Sequence, residues 1–313
     1  MNILVTGGAG FVGSHLCDSL VASGHFVTCL DDFSTGSIWN IRHLLDSSHF
    51  RLAKGSILDR DLLDKIIRDV EVVYHLAAQV HVDRSYVEPE LTYDVNVKGT
   101  QNILELCRWH RTKSVIYAST SEVYGTAQTE NISENHPLDA PHPYGASKIA
   151  ADRMCYAYAR TFGMPIQIVR CFNLYGPRQK HFGYGGVISL FMRRAMRGEP
   201  LIIYGDGKQS RDYTYIADAI AFYRLMLESE YGSGPFNVGT GEDVTINYLA
   251  SEIISLCDNK SYPVHDKERP SEVKRLCCDN SKAKNAGWRP LTPLYCGLRN
   301  LYEWFKSNGT DPR

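Results

Sequence analysis

Along the first half of the chain, short apolar runs alternate with longer stretches in which apolar residues recur three and four positions apart. Runs at residues 2–6, 25–30, 50–54, 70–75, 114–118 and 165–170 predict strands. The stretches 13–22, 59–68, 97–109 and 146–161 predict amphipathic helices between them. This alternation is the pattern of βαβ units, so the expected fold class is α/β, a Rossmann-type doubly wound parallel sheet with helices on both faces. After Arg170 the regularity weakens, and loops such as GPRQKHFGYGG and YGDGKQSRDYTY interrupt shorter elements. The expected division is a sheet domain over 1–170, with segments returning from the later sequence, and a smaller lobe mainly over 171–313.

The first predicted strand runs into NILVTGGAGFVGSH, which places Gly7, Gly10 and Gly13 between a strand and a helix start. Glycines there allow a tight turn and close approach of backbone amides to a pyrophosphate, and the helix N-terminus adds partial positive charge. The second strand leads into Asp31 and Asp32, roughly twenty residues on, where a carboxylate accepts hydrogen bonds from an adenosine ribose. It would also repel a 2′-phosphate. The nearest downstream arginine is Arg42, so NAD is expected rather than NADP, and 1–170 is the expected NAD-binding domain.

Tyr144 and Lys148 stand in HPYGASKIA at the mouth of the predicted helix 146–161, and their spacing puts both on one helical face. A tyrosine phenol has a pKa of about 10, which an adjacent ammonium lowers. Tyr144 is therefore expected to take a proton from a hydroxyl whose carbon loses hydride.

Composition removes other classes. Lys plus Arg total 34 against 35 for Asp plus Glu, a balance with no electrostatic footprint for nucleic acid or an anionic membrane. The nine cysteines are scattered, without zinc-ligand spacing, so no metal is expected and a reducing compartment is. The chain opens on a strand, with no leader pattern and no uninterrupted apolar span. Cytoplasmic location is the expectation.

The motifs TGGAGFVGSHL, LDDFSTG, HLAAQVHVDRS, NVKGT, STSEVYG, YGASK, RCFNLYGPRQ, YGDGKQSRDYTYIAD and ERPSEVKRLCCDNSKAKNAGW resemble the extended short-chain dehydrogenase/reductase family, specifically its nucleotide-sugar epimerases and dehydratases. The resemblance covers nearly the whole chain. It implies that NAD stays bound and cycles: a sugar hydroxyl, usually at C4, is oxidised, the keto-sugar reacts, and hydride returns. It further implies that Thr120 joins Tyr144 on the reacting sugar oxygen and that Lys148 touches the nicotinamide ribose. By position, Phe11, Val12, Ser56, Ile57, Leu76, Ala77, Ala78 and Asn96 line the cofactor site. Ser56 stands where the family usually has an aspartate near adenine. Asn173, Arg211 and Arg269 are implied to grip the nucleotide diphosphate, the loop before Val187 to border the base, and Arg178, Val187 and Tyr204 to complete the substrate site, with UDP preferred over GDP or dTDP. A homodimer built from helices near 97–109 and 146–161 is also implied.

STSEVYG bears on which reaction follows. Dehydratases of the family present a glutamate where this chain has Glu122, and a 4-keto group acidifies the C5 hydrogen that such a base removes. The acid often found before it is replaced by Ser121, a weak acid, which leaves Glu122 to carry the proton to the departing C6 oxygen. A 4,6-dehydratase is thus the leading expectation. The later segment from FNLYG to DYTYI looks more like UDP-sugar C4 epimerases, and TSEVYG also occurs in UDP-glucuronate decarboxylases. A non-catalytic dinucleotide-binding protein is the reading outside enzymology.

Overall fold

The computed structural model describes residues 1–183, 185–228, 234–269 and 272–310. The predicted alternation is present, with shifted edges: β1 (Asn2–Thr6), α1 (Phe11–Ala22), β2 (Phe26–Asp31), β3 (Phe50–Lys54), α2 (Arg60–Ile67), β4 (Val72–His75), α3 (Val82–Val87) and α4 (Pro89–Tyr93). A π-helical turn, Asp94–Gly99, then leads into α5 (Thr100–His110), followed by β5 (Ser114–Thr120), α6 (Pro143–Phe162) and β6 (Ile166–Cys171).

Three shifts bear on the site. Helix α1 starts at Phe11, because Gly10 in extended conformation ends the turn there. Helix α6 starts at Pro143, a residue suited to a first helical position because it has no amide hydrogen to leave unpaired. His142 caps it by accepting from Gly145 N. Tyr144 is therefore the second residue of α6 and Lys148 the sixth, so the pair belongs to the helix and still stands at its mouth. Strand β5 continues to Thr120.

With the later strand Gly234–Val238, the sheet has the order Gly234–Val238, β6, β5, β4, β1, β2, β3. The pairings β1 with β2 and β4, β2 with β3, and β4 with β5 are parallel. Strand order reverses at β1, so the turn after Thr6 lies at a topological switch point, where α/β sheets bind ligands. Parallel strands also bring Thr6, Asp31, His75 and Thr120 to one edge. The sheet is held by Leu4, Leu30, Val73, Ile103, Val115, Tyr117, Ile166 and their buried neighbours.

Among the described residues, Met1–Val123, His142–Arg170 and Ile220–Phe236 form one compact unit. Tyr124–Pro141, Cys171–Ala219 and the residues from Asn237 onward form the other, so 124–141 cluster with later sequence. The second unit has its own core, including Tyr175, Phe191, Met192, Leu249, Ile253, Leu301 and Phe305. Its hub is the buried Asp212, whose carboxylate accepts from Thr240 N and Oγ1, Gly241 N and Cys278 N. All nine cysteines are free thiols. No described helix is long and apolar enough to cross a membrane, and no described cluster of His, Cys, Asp and Glu has the make-up of a metal site.

Candidate active site

The glycine turn is a cradle that side chains would fill. Gly7 has φ +69°, and a Cβ there would lie 2.9 Å from Ala77 N. A Cβ on Gly13 would lie 2.1 Å from Gly7 O, which no adjustment of a flexible side chain can relieve. Gly7 N donates to Leu30 O at 2.8 Å and Gly10 N to Gly7 O at 3.1 Å, so β1, β2 and α1 meet in one tight corner. Gly10 offers no side-chain cap to the first amides of α1, the arrangement that suits a phosphate group. Phe11, Val12 and Gly13 form the opening of that helix.

Asp31 closes the corner. Its Oδ2 accepts from Ala9 N and its Oδ1 from Phe33 N, both at 2.8 Å. Burial raises its pKa above the usual carboxylate value, although both backbone bonds oppose that. Asp32 accepts from Ser34 N. Ser56 Oγ accepts from Leu58 N at 3.2 Å, and Ile57 is buried with its carbonyl bonded to Asn102. After β4, Leu76 N donates to Thr6 O and Ala77 N to Thr6 Oγ1, and Ala78 is half-buried. Asn96 Oδ1 accepts from Gln79 N at 2.8 Å, while its Nδ2 donates to Gln79 O and Ser147 Oγ, both at 2.9 Å. Asn96 is thus a clamp tying the loop after β4 to α6.

The tyrosine end of the candidate site comes from β5 and α6. Tyr144 is buried and hydrogen-bonded to Thr120. Its backbone is fixed on both sides: N donates to Ser85 Oγ at 3.1 Å, and O accepts from Ser147 Oγ at 2.6 Å. The Lys148 ammonium donates to Ala118 O at 2.7 Å and sits 4.4 Å from the centre of the Tyr117 ring. The expected acid phenol requires correction. Burial raises the pKa of Tyr144 well above 10, the Thr120 bond lowers it, and the Glu122 carboxylate raises it further. Desolvation of a phenolate outweighs the opposing hydrogen bond here.

Ser121 is buried. Glu122 follows it in the short helical turn Ser121–Tyr124, and its Oε2 lies 3.2 Å from His142 Nε2. The His142 and Tyr144 rings are stacked at 6.0 Å with 8° between their planes. The sequence reading missed His142 and Ser85. The available signal was Pro143, which marks a helix start, but histidine is not among the usual capping residues. It also missed His75, whose Nδ1 meets Thr6 Oγ1 at 2.8 Å and whose Nε2 meets Thr100 Oγ1 at 2.9 Å. Burial and then the Lys148 charge lower its pKa to about 3, so it stays neutral.

In the second unit, Arg211 pairs with Glu272 at 2.9 Å and donates to Ser210 O. The Arg269 guanidinium lies 4.3 Å from the centre of the Tyr204 ring. Asn173 adopts φ 28° and donates to Asp212 O at 3.0 Å. Arg178 adopts φ 66°, and Val187 opens the helix Val187–Met196. Glu272 is an acidic partner that the reading of Arg211 as a phosphate ligand did not anticipate.

A glycine cradle at the switch point, together with a tyrosine and lysine on α6 beside a strand-end threonine, defines a dinucleotide-binding enzyme of the short-chain dehydrogenase/reductase type. A family model described as GDP-mannose 4,6 dehydratase matches residues 4–301, and the chain belongs to that family, whose relatives include NAD-dependent nucleotide-sugar epimerases and dehydratases. A putative UDP-glucose 4-epimerase of Methanocaldococcus jannaschii is 38% identical over 98% of this chain and 99% of its own. The UDP-glucose 4-epimerase of Thermotoga maritima, solved with UDP-glucose, superposes with a TM-score of 0.93 at 34% identity, over 98% of this chain and 99% of that one. DesIV, a dTDP-glucose 4,6-dehydratase from Streptomyces venezuelae solved with NAD, gives 0.92 at 31% identity over 98% of each.

Proposed function

We propose that the protein is an NAD-dependent nucleotide-sugar 4,6-dehydratase. The observation that carries this reading is the Glu122 carboxylate, close enough to the Tyr144 phenol to raise its pKa and held by His142. An epimerase needs no carboxylate there, because it returns hydride to the same carbon. NAD suits the residues around the Gly7 and Gly13 cradle, and when bound it supplies the hydride acceptor at C4, the hydride donor at C6, and a positive charge that favours the phenolate.

Tyr144, with Thr120, takes the proton of the sugar 4-hydroxyl, and Lys148 secures the ribose beside it. Glu122 then takes the C5 proton, made acidic by the new 4-keto group, and passes it to the departing C6 oxygen, so that water leaves. The hydride gained at C6 is balanced by a proton taken up at C5, and the proton that Tyr144 accepted is released in exchange. Ser121 is too weak an acid to share that task. Asn173, Arg211 and Arg269 are the proposed contacts of the nucleotide diphosphate, with arginine forks matched to phosphate oxygens, and Arg178, Val187 and Tyr204 are the proposed further contacts of the substrate, the loop before Val187 bordering the base. UDP is the preferred nucleotide on the named substrates of the relatives.

The second reading is a UDP-hexose C4 epimerase, favoured by the name of the Methanocaldococcus relative. Mass spectrometry on a panel of nucleotide sugars separates the two. Loss of water supports the dehydratase, unchanged mass the epimerase, and loss of carbon dioxide a decarboxylase. Glu122→Gln in a dehydratase still reduces NAD but forms dehydrated product only at a small residual rate, whereas dehydration by this variant at the wild-type rate eliminates Glu122 as the base.

A further inference from the structure

We infer that His142 is a positioning residue for the Glu122 carboxylate, joining the start of α6 to the proposed base; the inference rests on the dehydratase reading above. Two hydrogen bonds carry it. The ring Nδ1 accepts from Gly145 N at 2.9 Å, so that nitrogen carries no proton. The neutral imidazole then bears its hydrogen on Nε2, which is the atom 3.2 Å from Glu122 Oε2. One backbone amide thus selects the tautomer that donates to the carboxylate.

The ring is fixed in other ways. His142 is buried, precedes the conformationally restricted Pro143, and stacks on the Tyr144 ring. The Glu122 side chain is 19% exposed, so it keeps access to solvent on one side while Nε2 holds one of its oxygens. Loss of the Nε2 contact loosens the carboxylate, and a misplacement of about 1 Å is enough to cost roughly a hundredfold in rate.

Capping and carboxylate positioning reside on different ring nitrogens, and two substitutions separate them. His142→Asn keeps an oxygen near the Nδ1 position, and asparagine is a preferred cap, but nothing reaches Glu122. His142→Gln places an amide N–H near the Nε2 position and gives up the cap. The expected result is that the Asn variant melts like the wild type yet turns over roughly ten- to a hundredfold more slowly with KM little changed. The Gln variant should melt a few degrees lower while keeping most of its turnover.

A coupling test completes the case: in a Glu122→Gln background, His142→Asn should slow the residual rate no further. Wild-type turnover in His142→Asn, or an equal slowing with and without Glu122, overturns the inference. Product mass keeps this distinct from failure of the functional reading. Wild-type turnover with loss of water sinks the His142 role alone, whereas wild-type turnover with unchanged substrate mass shows that Glu122 is not used as a base.

Discussion

Asp152, one helical turn beyond Lys148 on α6, forms a fully buried ion pair with Arg170 on β6. Arg170 Nε and Nη2 meet the two carboxylate oxygens at 2.9 and 2.8 Å, and Ser119 Oγ donates to the same carboxylate at 2.8 Å. The residue before Thr120 and the helix that carries Tyr144 are thereby fastened to one charge. A buried pair need not add net stability, but removing one partner leaves an uncompensated charge, at a cost of about 3–5 kcal/mol. Arg170→Met should lower stability to denaturant by that order, whereas Arg170→Met with Asp152→Leu should recover much of it. Equal losses in the single and double variants would contradict this account.

Tyr144→Phe removes a hydroxyl bonded to Thr120 while keeping the buried ring and its stack on His142. The variant should fold and bind NAD as the wild type does, and lose roughly 10²- to 10⁴-fold in turnover. Calorimetric titration of NAD and a product assay check the two halves separately. Activity within a few-fold of wild type would take the phenol out of the reaction.

Asp31→Ala should have two effects. Its loss strands the amide of Ala9, at a cost of about 1–3 kcal/mol. It also removes the negative charge expected beside the adenosine ribose, so the affinity ratio of NADP to NAD should rise roughly fivefold or more. Titrations with both dinucleotides read the ratio. A ratio unchanged by the substitution would show that Asp31 braces the glycine turn without selecting the cofactor.

Asp212 gives a prediction in pH. Burial raises its pKa from 3.8 to about 6, against four donated hydrogen bonds. The folded state therefore binds more protons than the unfolded one between about pH 4 and 6, and the contribution of this group to stability falls as pH rises through that window, by about 3 kcal/mol. Subtracting the unfolding free energy of Asp212→Asn from that of the wild type at each pH isolates the group. The difference should decline from pH 4 to 6, and a rising difference would mean that the four donors outweigh desolvation.

The sheet was legible because each of its first six strands is a short apolar run next to an amphipathic helix, and both signals are local. The Gly7 turn and the Tyr144 and Lys148 pair were legible for the same reason, since each is a spacing within one segment. Asp152 with Arg170, Glu122 with His142 and Arg211 with Glu272 join residues 18 to 61 positions apart, and no periodicity records such pairings. The second unit was hard to read because strands such as Leu174–Tyr175 and Ser210–Asp212 are too short to show alternation. The Tyr144 phenol was misjudged because desolvation depends on what packs around a side chain, and the sequence lists only its neighbours along the chain.

The widened turn Asp94–Gly99 holds one residue more than a regular helix would, and Asn96 lies in it. Each residue of an α-helix rotates its successor by about 100°. Deleting one position there would therefore let α4 and α5 run on as a continuous regular rod, well formed and even locally relaxed. It would also swing the Asn96 amide away from Gln79 and Ser147. Such a shortened chain should keep its helical content while losing the alignment of α6, so the irregularity works as a register mark for the candidate site.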